Sequence, residues 1–134
     1  MIVPPCINKY YILDLQPENS YVRWAVGEGH TVFMLSWRNI PPELGRITWD
    51  DYLEQGVLTA ISVAREIADS KTVNALGFCV GGTLLACALA AGAARGERAV
   101  ASVTPAHHDA RLRRPGRHRR LHIARISSPR ASPR

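Results

Sequence analysis

The amino-acid sequence predicts an α/β fold in which short parallel strands alternate with helices. Short apolar runs, rich in β-branched residues, alternate along the chain with longer segments of helical apolar spacing. One of these runs, residues 73–78, leads through a cysteine flanked by glycines directly into a helix. Strands that alternate with helices favour a parallel sheet with right-handed crossovers. The predicted sheet has four strands and looks like the middle of a larger one.

The first half of the chain is expected to contribute two strands and one helix. Pro4-Pro5 ends the first strand, because proline has no N–H to donate to a ladder. Pro17 suits the first turn of a helix that extends to Glu28, with Gly29 as its left-handed cap. The next strand is predicted from a mostly apolar run of seven residues that contains β-branched and aromatic side chains. The predicted strands of the whole chain lie at residues 2–3, 31–37, 73–78 and 99–103.

Two longer helices are expected in the second half. Thr48 caps the first of them, and Asp51 three residues later completes a capping-box pattern. The second is expected over Thr83–Arg95, after Gly81-Gly82 and before Gly96. It has almost no polar face, so the sequence predicts that it is buried. The first of the two helices has one apolar stripe, formed by Leu53, Val57, Ala60, Ile61, Ala64, Ile67 and Ala68.

Charge divides the chain into a body and a tail. Residues 1–104 carry eight basic and ten acidic side chains, whereas residues 105–134 carry nine Arg and one Asp. The tail is rich in Arg, Pro and His and has no aromatic residue, Val or Lys, so we expect it to be disordered or derived from a frameshift. One set of codons for residues 107–114, read one base later, encodes Thr-Thr-Thr-Leu-Asp-Phe-Ala-Asp, which is typical of a globular protein.

Composition and motifs exclude several classes of protein. Three Cys in 134 residues are too few and odd in number for a disulfide scaffold. The longest apolar run, Leu84–Ala94, is too short to cross a bilayer, so no transmembrane segment is expected. The N-terminus does not resemble a signal peptide, which favours a cytoplasmic location. No spacing typical of a zinc site or of a nucleotide-binding glycine loop occurs, so we expect no metal and no cofactor.

The candidate chemistry lies at the turn after residues 73–78. Gly77, Cys79 and Gly81 fit the pattern G-x-C-x-G, the cysteine form of a nucleophile elbow, and Gly82 follows. A tight turn leaves no room for flanking side chains, and the start of the next helix favours both a thiolate and an oxyanion. Cys79 is therefore the candidate nucleophile, and the N–H of Val80 the candidate oxyanion-hole donor. The alternative is a buried structural cysteine.

Three segments together resemble the polyhydroxyalkanoate synthases, best the short-chain, class I type. They are Pro4–Leu15 (PPCINKYYILDL), Ser36–Asn39 (SWRN) and Gly77–Thr83 (GFCVGGT). The resemblance covers residues 2–104 almost continuously and implies that residues 1–104 are a partial α/β-hydrolase catalytic domain. It also implies an acyltransferase that polymerises (R)-3-hydroxyacyl-CoA with release of CoA.

The resemblance assigns roles to individual residues. Cys79 matches the nucleophile that holds the acyl group as a thioester, and Val80 matches the residue whose amide lines the oxyanion hole. The loop from Asn8 to Tyr11 matches one that lies over the active site. CoA thioester is then a substrate and not a cofactor. In the intact family the partners are hydroxyacyl-CoA, the growing polyester and a second subunit, at the surface of a cytoplasmic polyester granule.

The chain also departs from the family. The family's aspartate and histidine lie far downstream of the cysteine, its large N-terminal domain is not present, and nothing beyond Thr104 resembles it. His107, His108 and Asp109 follow the elbow too closely to complete a triad. We therefore expect a central fragment of the catalytic domain, truncated at the front, frameshifted at the back and inactive alone.

Two alternatives to a synthase fragment remain from the sequence. One is a cysteine-type hydrolase or thioesterase of the same fold, which would share the elbow. The other is a non-enzymatic protein that binds polyanions through its Arg-rich tail. Such binding would be independent of sequence, so no specific nucleic-acid partner is expected. Cys6, Cys87 and His30 are expected to have structural roles and no part in catalysis.

Overall fold

A parallel three-stranded sheet forms the centre of the computed structural model, which describes residues 1–7 and 10–106. The strands lie in the order β1-β2-β3, and both neighbouring pairs are parallel. This confirms the predicted α/β arrangement and places the carboxyl ends of all three strands at one edge of the sheet. The strands are β1 (Ile2–Val3), β2 (Val73–Phe78) and β3 (Val100–Ala106).

Among the described residues, four α-helical segments accompany the sheet, together with one π-helical segment that joins two of them. They are α1 (Tyr21–Gly27), α2 (Trp49–Asp51), the π-helical segment (Tyr52–Leu58), α3 (Thr59–Ile67) and α4 (Val80–Ala94). Short 3-10 helices occur at Tyr10–Leu13, Pro17–Asn19 and Pro42–Leu44. No helix in the described part of the chain is long and apolar enough to span a bilayer.

The prediction of a strand over residues 31–37 is wrong. These residues make a single parallel bridge, between Met34 and Ile2 of β1. The N–H of Ile2 donates to the carbonyl of Phe33 (2.7 Å), and the N–H of Leu35 donates to the carbonyl of Ile2 (3.0 Å). The pairing stops there because β1 has two residues and continues into Pro4-Pro5, which has no N–H to offer.

The predicted helix from Pro17 to Glu28 is divided in two. A 3-10 turn at Pro17–Asn19 is followed by Ser20, whose extended backbone interrupts the helical conformation. The side chain of Ser20 accepts a hydrogen bond from the N–H of Arg23 (2.8 Å), so α1 begins after Ser20. Gly29 has φ of +85° and is left-handed, as predicted.

The helix after the elbow starts earlier and is less buried than predicted. It begins at Val80, and Gly81-Gly82 lies within its first turn. Its buried side chains include Leu84, Leu85 and Ala88, whereas Ala86 and Ala90 are exposed. The prediction of full burial is wrong because α4 packs on one side only, against the sheet and the π-helical segment.

The long helical stretch before β2 begins as predicted. Thr48 and Asp51 form a reciprocal capping box, in which the Thr48 hydroxyl accepts from the Asp51 N–H and an Asp51 carboxylate oxygen accepts from the Thr48 N–H (2.9 Å). The apolar stripe is buried at Leu53, Val57, Ile61 and Ala64. It ends there, since the last helical turn leaves Ile67 and Ala68 exposed.

The core lies between the sheet and these helices. Burying a Val, Leu or Ile side chain of this kind contributes roughly 1.5–3 kcal/mol to folding. Trp37 closes the core beside the π-helical segment: its Nε1 donates to the Pro4 carbonyl (2.8 Å), and its ring lies 5.4 Å from that of Tyr52. The largest fully buried side chains include Val3, Val57, Ile61, Leu84 and Leu85.

β3 extends further than predicted. It continues to Ala106, three residues past the predicted strand end at Val103, and so includes the first two residues of the predicted tail, Pro105 and Ala106. The rest of that tail, residues 107–134, lies outside the described residues.

The contact between Gly56 and Trp37 predicts that Gly56→Ala destabilises the fold. A Cβ at Gly56 would lie 2.6 Å from Cζ3 of the indole ring, so the ring or the helix must move. Overpacking of this kind costs about 1–3 kcal/mol, more than the roughly 0.5–1 kcal/mol that alanine gains over glycine in a helix. Urea denaturation followed by circular dichroism should show a lower midpoint.

Gly27→Ala is the matched control for this substitution. Gly27 is also helical, and a Cβ there would meet nothing within 4 Å. Its midpoint should stay unchanged or rise. A Gly56→Ala midpoint equal to that of Gly27→Ala would contradict the packing described for Trp37.

The capping box predicts a pH-dependent contribution to stability. The hydrogen bond from the Thr48 backbone N–H, helped by bonds from the Thr48 hydroxyl and from Gln55, lowers the pKa of Asp51 below its ordinary value of 3.8. A lowered folded-state pKa stabilises the protein above the unfolded pKa and ceases to do so as pH falls through the folded pKa. Asp51→Asn should therefore lower the urea midpoint at pH 6 but not near pH 2.

Asp50→Asn serves as the control, since Asp50 has the same charge at the same helix end without these hydrogen bonds. Its effect should be smaller at pH 6. An Asp51→Asn effect that persists unchanged at low pH would show that the carboxylate charge is not what the cap requires.

Candidate active site

Cys79 lies at a strained turn between β2 and α4. Its backbone has φ of 54° and ψ of −127°, a conformation that is costly for any residue other than glycine. Two hydrogen bonds hold it: the Cys79 N–H donates to the carbonyl of Ala106 (2.9 Å), and the Gly82 N–H donates to the carbonyl of Cys79 (2.9 Å). Cys79 is exposed, so the strain presents this residue to solvent at the carboxyl edge of the sheet.

The glycines around Cys79 are required by close backbone contacts. A Cβ on Gly77 would lie 2.5 Å from the Cα of Gly82, and one on Gly81 would lie 2.1 Å from the carbonyl oxygen of Val3. Neither neighbour can move as a flexible side chain would, because both are main-chain atoms. The tight turn expected from the sequence pattern is therefore present, with α4 pressed against the end of β1.

Val80 is the first residue of α4, directly after Cys79. N–H groups in the first turn of a helix have no acceptor within the helix, and the helix dipole adds partial positive charge there. A donor at this position can stabilise negative charge on an oxygen attached to a group bound at the cysteine sulfur. The arrangement of Cys79 and Val80 thus suits acyl transfer through sulfur.

The other two sequence segments singled out above meet at a separate cavity of about 610 Å³. Tyr11, from the segment Pro4–Leu15, lines the wall of this cavity, whereas Asn8 lies outside the described residues. The SWRN segment lines the same cavity, but Cys79 does not. The lining residues are Cys6, Ile7, Tyr10, Tyr11, Ser36, Trp37, Arg38, Asn39 and Ile40.

This cavity and Cys79 share one edge of the sheet. Residues 6, 7, 10 and 11 follow β1, and residues 36–40 follow the segment that bridges to β1 in parallel, so both groups lie at the carboxyl edge of the sheet. The carboxyl ends of parallel strands are the usual place for ligand binding in α/β folds. The contact of Gly81 with Val3 and Pro4 links the elbow to the chain that enters the cavity wall.

No histidine lies beside Cys79 as a base in the described part of the chain. His30 precedes the Met34 bridge, so it lies toward the opposite, amino edge of the sheet, where it lines another cavity of about 390 Å³. His107, His108 and Asp109 fall outside the described residues. Within residues 1–7 and 10–106, no group of three His, Cys, Asp or Glu could hold a metal ion.

Sequence reasoning gave no role to Arg38, which lines the larger cavity. Arg38 follows the segment that bridges to β1 in parallel. That position was the signal that could have identified it, because loops at the carboxyl ends of parallel strands gather at one sheet edge. Tyr10 also lines the cavity and belongs to the loop from Asn8 to Tyr11 that the sequence resemblance singled out.

The chain is similar in sequence to poly(3-hydroxyalkanoate) polymerases. A family model described as "Poly-beta-hydroxybutyrate polymerase (PhaC) N-terminus" matches residues 1–25. The poly(3-hydroxyalkanoate) polymerase subunit PhaC of Cupriavidus necator is 60% identical over 104 residues, 78% of this chain and 18% of the relative. That of Rhizobium meliloti is 43% identical over 104 residues, 78% of this chain and 17% of the relative. The chain thus spans less than a fifth of the length of these relatives.

Exposure predicts that Cys79 reacts first with an alkylating agent. Cys79 is exposed, whereas Cys6 and Cys87 are partly buried. Brief treatment of the folded chain with iodoacetamide, followed by peptide mass spectrometry, should find the label mainly on the peptide that contains Cys79. In urea the three thiols should react at similar rates. Preferential labelling of Cys87 in the folded chain would contradict the position of α4.

Proposed function

The 104 matched residues of this chain belong to the poly(3-hydroxyalkanoate) polymerase family, and we propose that the chain supplies the nucleophile of such a polymerase. The proposed activity is acyl transfer that polymerises (R)-3-hydroxyacyl-CoA with release of CoA. Any stretch of 104 residues in a chain of 134 includes residues 31–104, so the elbow lies within the match. The observation that carries the proposal is the exposed Cys79 at a strained strand-to-helix turn.

The proposed reaction proceeds through a thioester on Cys79. The deprotonated sulfur attacks the carbonyl carbon of the hydroxyacyl-CoA, a new C–S bond forms, and the bond to the CoA sulfur breaks with release of the CoA thiolate. The hydroxyl of another hydroxyacyl unit then attacks this thioester, gives up its proton to a base, and forms an ester as the Cys79 sulfur leaves. Each cycle lengthens the polyester by one unit.

The geometry around Cys79 supports roles for its neighbours in this scheme. The Val80 N–H is proposed to stabilise the oxyanion of each tetrahedral intermediate, because it lies in the first turn of a 15-residue helix beside the nucleophile. Gly77, Gly81 and Gly82 are proposed to allow the turn. The loop with Asn8 and Tyr11 is proposed to contribute to substrate binding. We further propose that residues 1–104 are part of an α/β-hydrolase catalytic domain.

The remaining parts of the proposal concern the surroundings of the reaction. The base that activates Cys79 is proposed to be a histidine supported by an aspartate, supplied by sequence that corresponds to downstream parts of the relatives. The partners are hydroxyacyl-CoA and growing polyester, with a second subunit and a cytoplasmic granule surface as the setting. The chain alone is proposed to be inactive in polymerisation, because a nucleophile without its base loses most of its reactivity.

A chimera tests the proposed function most directly. The segment of the Cupriavidus necator polymerase that matches this chain would be replaced by the corresponding 104 residues of this chain. Incubated with (R)-3-hydroxybutyryl-CoA, the chimera should release CoA and form polyester, and Cys79→Ala should abolish both. The matched control is Cys87→Ala, which removes a thiol from the middle of α4 and should leave activity largely intact.

The products separate the proposed function from its alternative. Release of CoA with free 3-hydroxybutyrate and no polymer would indicate a thioesterase. A Cys79→Ala chimera that retains polymerisation would exclude Cys79 as the nucleophile. The isolated 134-residue chain provides the remaining comparison, and polymerisation by it above a Cys79→Ala background would contradict its proposed inactivity.

A further inference from the structure

Arg38 gives the 610 Å³ cavity a chemical character that the cavities of about 390 and 310 Å³ among the described residues do not have. It is the only charged side chain among the described lining residues. The cavities of about 390 and 310 Å³ are lined by no Lys, Arg, Asp or Glu in the part of the chain that the structure describes. Arg38 is exposed and makes no hydrogen bond or ion pair with another described residue. Its guanidinium is therefore available to an anionic ligand.

Aromatic side chains form much of the rest of this cavity. The rings of Tyr10 and Tyr11 meet edge to face with centroids 5.6 Å apart, and these residues are 44% and 49% exposed. Trp37 contributes a third aromatic side chain, held by its hydrogen bond to the Pro4 carbonyl. Exposed aromatic faces bind heteroaromatic bases by stacking, and they do so without requiring one particular base.

The combination of an available guanidinium, exposed aromatic rings and this volume fits one class of ligand. Arginine binds phosphate through paired N–H donors, and aromatic rings stack on a purine. A volume of about 610 Å³ lies within the roughly 300–1,000 Å³ that is typical of small-molecule sites. A phosphorylated nucleoside meets all three features, whereas an aliphatic polyester chain would use neither the charge nor the stacking.

We propose that this cavity binds the phosphorylated nucleotide end of acyl-CoA, with Arg38 on a phosphate and Tyr10 or Tyr11 beside the adenine. The inference rests on the proposed function, which makes acyl-CoA the substrate. The cavity and Cys79 lie at the same sheet edge, and the first turn of α4 contacts the chain just before the cavity wall. The pantetheine arm would extend from the cavity toward Cys79 and carry the thioester to the sulfur.

Binding of S-methyl-CoA to the full 134-residue chain tests this site apart from catalysis. Its thioether cannot acylate Cys79, so equilibrium dialysis reports binding alone. Arg38→Gln should weaken binding of S-methyl-CoA and of ADP roughly tenfold or more, the usual consequence of losing a hydrogen-bonded charge. S-methyl-pantetheine, which has no phosphate, should bind Arg38→Gln and the parent chain equally.

Arg46→Gln is the matched control for these measurements. Arg46 is also exposed but does not line the cavity. Both variants retain the nine arginines of residues 105–134, so any phosphate that these arginines bind is common to both and the comparison isolates Arg38. Arg38→Lys keeps the charge without the paired donors and should bind S-methyl-CoA with an affinity between those of Arg38→Gln and the parent chain. Circular dichroism would confirm that all three variants fold alike.

Several results would overturn the proposal. They are equal affinities of Arg38→Gln and Arg46→Gln for S-methyl-CoA, affinity for ADP that does not depend on Arg38, and phosphate-free pantetheine that binds as tightly as S-methyl-CoA. Failure of the proposed function is distinguishable from these. A chimera without Cys79-dependent acyl transfer, together with Arg38-dependent binding of S-methyl-CoA, would refute the polymerase mechanism and leave the nucleotide site in place.

Discussion

The close approach of α4 to the end of β1 is the constraint on which the rest of the structure depends. Gly81 lies against the main chain of Val3 and Pro4, and Gly77 lies against Gly82. At these contacts α4 approaches the end of β1 and the end of β2 so closely that no side chain fits between them. This contact fixes the start of α4 and with it the positions of Leu84 and Leu85, which are fully buried. It also forces the turn at Cys79 into its strained conformation, because α4 must start directly after β2.

The same contact unites two parts of the candidate site that lie far apart in sequence. The carbonyl group of Pro4 lies against Gly81 and also accepts a hydrogen bond from Trp37. Trp37 in turn packs against Gly56 in the π-helical segment. The elbow, the aromatic cavity and the long helical stretch before β2 are therefore held by a short run of backbone around Pro4. Strain at Cys79 is sustained because packing on several sides outweighs its cost.

Much of this fold could be predicted from local sequence signals. The predictions that failed depend on contacts between residues far apart in sequence. The capping box at Thr48 and the elbow depend on residues near one another in sequence, and both are as expected. The strand predicted over residues 31–37 does not form because only Ile2 of β1 is available to pair with it. The length of β1 cannot be read from the sequence of residues 31–37. The burial of α4 was overestimated because it also depends on neighbouring elements. A helix of small apolar residues can be apolar on every face and still pack on one side only. The cavity with Arg38 requires two loops to meet, which no single motif indicates.

The elbow is held to β3 by a hydrogen bond to a main-chain oxygen and not to a side chain. The Cys79 N–H donates to the carbonyl of Ala106, so the peptide groups of residue 106 face β2. Since successive residues of a strand face opposite directions, the nitrogen of Pro105 faces away from β2, where the lack of an N–H costs no bond to the sheet. Every amino acid has a carbonyl oxygen, so the identity of the side chain at position 106 has little influence on the conformation of Cys79. Genetic drift could therefore replace the side chains at the end of β3 while the geometry of the elbow persists.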